Sequence, residues 1–207
     1  MNGRSLTPHR FVLAASLLLA ACGDDSPPRT DPGSILGDFA ATWCTEPSSD
    51  TRPTVLLVRA TTRRDDRAWG RTAHEWKKFV QRILPDLRPD TLDDFVRANE
   101  TALDLRGVLT STHALHFVTA DEIREVIPEH HSHSEYDRGM QALIERYPGA
   151  RLLRSVSVPG VSADGRQALV YATIEMRAVI RTGYFFLLAW EDGRWRIVAE
   201  ATAWEPE

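Results

Sequence analysis

The densest concentration of side chains able to do chemistry is Glu129-His130-His131-Ser132-His133-Ser134-Glu135, followed by Asp137. Three imidazoles and three carboxylates fall within nine residues. In an extended loop His131 and His133 project the same way, because side chains along extended backbone alternate with a period of two. That is the arrangement of a His-x-His metal pair. Imidazole suits zinc, copper or nickel, and a carboxylate completes the shell. His130, His131 and His133 are therefore candidate ligands for Zn or Cu. The same stretch has a plainer reading as a polar helix entry. In that reading Ser134 caps a helix, and Glu135 and Asp137 fill its first turn, where acids favour the dipole.

A second group is Arg59, Arg63, Arg64, Arg67 and Arg71, set against Asp65 and Asp66 with Trp69 among them. Guanidiniums grip phosphate groups, including those of lipid headgroups, through paired hydrogen bonds. Arg59, Arg63, Arg64 and Arg67 are thus candidate anion-binding residues. The alternative is a solvated loop whose Arg-Asp pairs neutralise one another for ~0–1 kcal/mol each.

No catalytic motif is recognisable in the sequence. There is no Gly-x-Ser-x-Gly elbow, no phosphate-cradling Gly-x-x-x-x-Gly-Lys and no Cys-x-x-Cys. His74-Glu75 begins like a zincin helix, but the second ligand position holds Lys78, whose ammonium has no lone pair to donate. Asp65-Asp66 and Asp93-Asp94 are adjacent pairs whose side chains diverge on regular backbone. Asn99-Glu100-Thr101 matches a glycosylation acceptor and reads as incidental.

The elements that must position these residues follow from periodicity. Thr72-x-x-Glu75, Thr91-x-x-Asp94 and Thr119-x-x-Glu122 each resemble a helix start, and Pro85 and Pro128 stop two of the helices. A fourth helix, from about Ser134 to Tyr147, carries Tyr136, Met140, Leu143, Ile144 and Tyr147 on one stripe. Val55 to Ala60 is a short β-type run. The second half reads as sheet: 153–158, 168–174, 184–190 and 195–201 are β-rich, with hairpin turns at Asp164-Gly165 and Asp192-Gly193. In the last strand Trp195, Ile197 and Ala199 alternate with Arg196, Val198 and Glu200, which predicts one wet face. The expected fold class is α+β, with helices mainly in the first half packed on a C-terminal antiparallel four-stranded meander.

Hydrophobic residues at 43% and charged residues at 26% are ordinary globular values. The 25 basic residues are scattered in a chain of net charge −4, which argues against nucleic acid as a partner. The N-terminus has its own logic. Arg4 and Arg10 precede the uninterrupted apolar run 11–21, which as a helix rises only about 16 Å, about half of what spanning a bilayer takes. It reads as an export signal over residues 1–21.

Leu19-Ala20-Ala21-Cys22 resembles the lipobox of bacterial lipoprotein precursors. The resemblance implies cleavage before Cys22 and a diacylglycerol on its thiol, and so a membrane partner reached through lipid. Two or more acyl chains are needed for stable residence. Losing two arginines and no acid moves the net charge from −4 to −6, so electrostatic attachment to anionic lipid would contribute little. Residues 22–34 hold no large apolar side chain and are expected to be a tether reaching at most about 40 Å. Gly23 rather than Asp follows the cysteine, which points to the outer membrane, facing the periplasm. With Cys22 acylated, Cys44 has no disulfide partner and is expected to be a small buried hydrophobe beside Trp43.

A further likeness lies in Tyr147-Pro148-Gly149, Ser157, Ala168-Leu169-Val170-Tyr171, Gly183-Tyr184 with Leu187-Leu188, and Gly193 with Trp195 and Trp204. Together with Leu92-Asp93-Asp94-Phe95 and Asn99, this pattern resembles a group of uncharacterised bacterial exported proteins. The likeness covers about two thirds of the mature chain that follows residues 1–21. Where that group has Arg after the Ser and a glycine-rich segment before Gly-Tyr, this chain has Val158 and Arg181. These are core and turn positions, so the resemblance implies a fold and no activity. The expectation is a lipid-anchored cell-envelope protein whose single domain, 35–207, binds an envelope protein or small ligand. The alternative is an envelope hydrolase using the His130/His131/His133 loop.

Overall fold

A computed structural model describes residues 30–43, 55–60, 62, 73–110, 114–128, 132–177 and 180–204. Helix α1 (Pro32–Trp43) opens on Asp31, whose Oδ1 accepts from the Ser34 N–H at 2.8 Å, with Pro32 at the first helical position. It begins three residues inside the stretch that composition assigns to the tether. The cap and the buried stripe Ile35, Leu36, Phe39 and Ala40 explain why a segment without large side chains at its start still folds. Then follow β1 (Val55–Arg59), α2 (Ala73–Ile83), α3 (Pro89–Ala98), β2 (Ala114–Val118), α4 (Ala120–Val126), α5 (His133–Glu145), β3 (Leu153–Val156), β4 (Gly160–Val161), β5 (Gln167–Arg177), β6 (Ile180–Glu191) and β7 (Arg194–Trp204).

The α+β expectation holds, but the sheet is larger than a C-terminal meander. Strands β3, β5, β6 and β7 run antiparallel in that order, and β4 continues the β3 edge along β5. The first half then adds β1 parallel to β3 and β2 parallel to β1, giving a seven-stranded mixed sheet. Parallel neighbours need long crossovers, so no hairpin signal marks them in the sequence.

Both sheet faces are covered. On the first face α1 and Leu105 and Leu109 pack on Val58, Val156, Ala168, Val170, Ala172, Phe186, Leu188, Trp190 and Trp195. On the second face α2 and α3 cover Leu169, Tyr171, Phe185 and Leu187 around the stacked Trp76–Phe95 pair. Beside them α4 and α5 cover Val118 and Leu153. Each fully buried Phe or Leu of these layers is worth about 1.5–3 kcal/mol relative to exposure.

Helix entries are decided locally. Thr119 and Glu122 form the expected capping box. At α5 the cap is Ser132 rather than Ser134: its hydroxyl accepts from the Glu135 N–H, and the Glu135 carboxylate reaches back to the Ser132 N–H at 2.7 Å. Helix α3 starts at Pro89 after Arg88, not at Thr91. The Thr91 hydroxyl is buried and donates instead to Gln167 Oε1 at 2.9 Å.

The last strand departs from simple alternation. Leu188 pairs with Ile197 but Leu187 pairs with Ala199, so Val198 is an extra residue in a β-bulge and is 49% exposed. Trp195 and Ile197 face α1, whereas Ala199, Ala201 and Ala203 face α2 and α3. The bulge switches faces in a strand whose sequence pattern looks unbroken. Asp192 (φ 50°) and Gly193 (φ 76°) form the expected tight turn before it.

Candidate functional site

The two groups of chemistry-bearing residues fare differently. His130 and His131 lie outside the described residues, and His133 is the exposed first residue of α5. Among the described residues no group of three His, Cys, Asp or Glu side chains could hold a metal ion. Arg63, Arg64 and Arg67 also lie outside the described residues, as do Cys22 and Cys44. Arg59 is described, and it belongs to β1 rather than to the arginine-rich loop. Among the described residues its partner is Glu175, 116 residues downstream.

Around Glu175 the sheet builds a buried polar cluster. Four elements supply it: Arg59 from β1, Tyr136 from α5, Glu175 from β5 and Arg181 from β6. Arg59 Nη2 lies 3.2 Å from Glu175 Oε1 and 3.5 Å from Oε2. Arg181 is the cross-strand neighbour of Glu175, with Nη2 3.8 Å from Oε2. Tyr136 contributes twice: its hydroxyl donates to Glu175 Oε2, and its ring lies 4.2 Å beneath the Arg181 guanidinium. The carboxylate side chain is 4% exposed and the two guanidiniums 15% and 14%. A carboxylate so buried is sustained only by cationic partners and good hydrogen bonds. Burial, and then the charge of Glu175, push the Tyr136 phenol well above its usual range, so it holds its proton and donates.

The hydroxyls of Ser155 and Thr173 stand on the same sheet face. They are cross-strand partners, two rungs of the ladder beyond Leu153 and Glu175. Both residues are 3% exposed, and neither hydroxyl has a hydrogen-bond partner among the described residues. The same is true of Arg59 Nε and Arg181 Nε. Among the described residues the cluster thus carries two guanidiniums against one carboxylate and four buried donor groups without an acceptor. Guanidiniums cannot act as bases, and no base is paired with either hydroxyl among the described residues.

Other polar side chains serve the fold. Asp90 and Asp94 on α3 accept from the backbone N–H groups of Ala163 and Val161 at 2.9 and 2.8 Å. The Ala163 bond, with Arg88 nearby, holds the Asp90 carboxyl below its usual range. Asn99 is 7% exposed, so it is no glycan acceptor in this fold. Its Nδ2 donates to the Phe95 and Val158 carbonyls, and its Oδ1 accepts from the Val158 N–H, tying the end of α3 to the break between β3 and β4. Arg154, on the first sheet face, is 2% exposed and sits 5.1 Å over the Trp43 ring.

Sequence reasoning named Arg59 but missed Glu175, Arg181, Tyr136, Ser155 and Thr173 as a group. The available signal was three polar residues (Thr173, Glu175 and Arg181) inside strands otherwise rich in Val, Ile, Tyr and Phe. No spacing rule joins β1, β5 and β6. No family model, curated protein or solved structure matches this chain. Among the described residues, no helix is long and apolar enough to cross a membrane.

Proposed function

We propose that this chain is an exported lipoprotein, held at the cell envelope by acyl chains on Cys22, whose domain works there by binding an envelope protein or small ligand. The observation that carries the reading is the apolar run 11–21 closing on Leu19-Ala20-Ala21-Cys22. Acyl chains offer ~0.8 kcal/mol per buried CH₂, so two or more hold a protein where one does not. Residues 23–31 separate Cys22 from the first turn of α1, a span of at most about 32 Å. The domain therefore works close to the lipid surface, and Gly23 favours the outer membrane. In support of binding rather than turnover, the buried cluster on the second sheet face is rich in donors, and among the described residues no base is paired with either hydroxyl.

Expression of the full chain in a bacterium, followed by detergent phase partitioning, tests the anchor. The wild-type chain is expected in the detergent phase, with mass spectrometry showing a diacylglyceryl adduct on Cys22. Cys22→Ala is expected to stay uncleaved or to move to the aqueous phase. Identical processing and partitioning of the two chains refutes the reading.

A further inference from the structure

We infer that the cluster around Glu175 is a binding site for a small tetrahedral oxyanion of the phosphate class, held by Arg59, Arg181, Ser155 and Thr173. The inference deepens the reading of the domain as a binding module and does not depend on the lipid anchor.

Among the described residues two guanidiniums face one carboxylate, a net positive charge beneath α5. Proteins rarely bury an uncompensated charge, because its desolvation costs several kcal/mol. The imbalance is matched by a shortage of acceptors. On this sheet face Arg59 Nε, Arg181 Nε, Ser155 Oγ and Thr173 Oγ1 are all buried without a partner among the described residues. All four stand within two rungs of the ladder: Ser155 opposes Thr173, Arg181 opposes Glu175, and Arg59 follows the residue paired with Arg154.

The spread of donors bears on the ligand. They come from four different strands on one sheet face, whereas a planar carboxylate is best satisfied by the fork of a single arginine. A tetrahedral ion with three or four acceptor oxygens can meet donors from all four strands. The Arg59 and Arg181 side chains are 15% and 14% exposed, so the cluster is open to solvent on the arginine side and nearly closed at Ser155 and Thr173. Glu175, which already holds Arg59 and the Tyr136 hydroxyl, acts as an internal competitor for the same cations.

The test titrates the full chain, purified in detergent, with inorganic phosphate against chloride at matched ionic strength, by calorimetry and by Tm. Phosphate is expected to saturate with a Kd of about 1 mM or tighter. It should raise Tm by about 4 °C at ten times that concentration. Ser155→Ala and Thr173→Val each delete one hydroxyl donor to a charged acceptor and are expected to weaken binding about tenfold. Glu175→Gln removes the competitor and is expected to tighten it about tenfold. Phosphate heats no different from chloride, or unchanged affinity in both hydroxyl variants, overturn the site. Should Glu175→Gln unfold, the two hydroxyl variants decide alone. A chain that partitions into detergent yet ignores phosphate sinks the site and leaves the anchor standing; one that binds phosphate but stays aqueous does the reverse.

Discussion

Breaking the Tyr136–Glu175 bond gives the sharpest measure of how much the buried cluster stabilises this fold. Tyr136→Phe removes a hydroxyl that donates to a carboxylate 4% exposed. A hydrogen bond to a buried charge is worth about 1.5–3 kcal/mol, so a loss of about 2 kcal/mol is expected. Glu175→Gln keeps the shape but leaves Arg59 and Arg181 facing a neutral amide. Breaking a buried ion pair costs about 3–5 kcal/mol. The low end of that range, about 3 kcal/mol, applies because the Arg59 and Arg181 side chains keep some contact with water at 15% and 14% exposure. Tyr136→Phe deletes the hydrogen bond that Glu175→Gln already reduces to one with a neutral acceptor, so their effects should overlap by about 1–1.5 kcal/mol in the double variant. Urea unfolding of the full chain and the three variants measures the cycle. With about 2–4 °C of Tm per kcal/mol at this size, the single variants should melt about 6 and 9 °C lower. The exposed Lys77–Asp93 pair, at 36% and 65% exposure, is the internal comparison. Asp93→Asn is expected to cost under about 0.5 kcal/mol. Additivity of the two buried substitutions within about 0.3 kcal/mol, or a Glu175→Gln effect no larger than that of Asp93→Asn, would refute the reasoning.

Two other outcomes follow from geometry alone. A Cβ on Gly160 would sit 2.3 Å from the N, Cα and Cβ of Phe95, so Gly160→Ala must push α3 off β4 and is expected to cost about 3 kcal/mol. Gly37→Ala, in α1 with only Thr110 Oγ1 at 3.5 Å, should instead stabilise by up to about 1 kcal/mol; equal Tm values for the two variants contradict this account. Glu122 is held at about 2, against an ordinary value of 4.5, first by the Thr119 N–H and then by the Thr119 and Tyr147 hydroxyls. A depressed carboxylate stabilises the fold above its unfolded value and loses that contribution as pH falls through about 4.5 toward 2. The stability gap between wild type and Glu122→Gln should therefore be widest near pH 7 and close by pH 2, and a gap that is constant with pH rules this out.

Local chemistry was legible in the residue order because it is decided within a few positions. The Thr119–Glu122 box, the Asp192-Gly193 turn and the stripe of α5 each need only neighbours three or four residues away. The same locality explains the misreadings. Ser132 and Ser134 both have the right chemistry for a cap, and only the carboxylate of Glu135 folding back on Ser132 separates them. Thr91 has the residue type of a cap, but the Gln167 side chain claims its hydroxyl from across the fold. The bulge at Val198 leaves no mark in an alternating sequence, because the β6 ladder places it.

The apolar-rich run 11–21 and the Leu19-Ala20-Ala21-Cys22 pattern are properties of the sequence itself, since each lies in contiguous residues. So are the helix and strand identities of most segments, which follow from periodicity. The parallel attachment of β1 and β2 to the meander was decided only in three dimensions. So was the partnership of Arg59 with a glutamate in β5. Both depend on contacts across more than forty residues, between side chains whose types fix what they can bond but not which partner they meet.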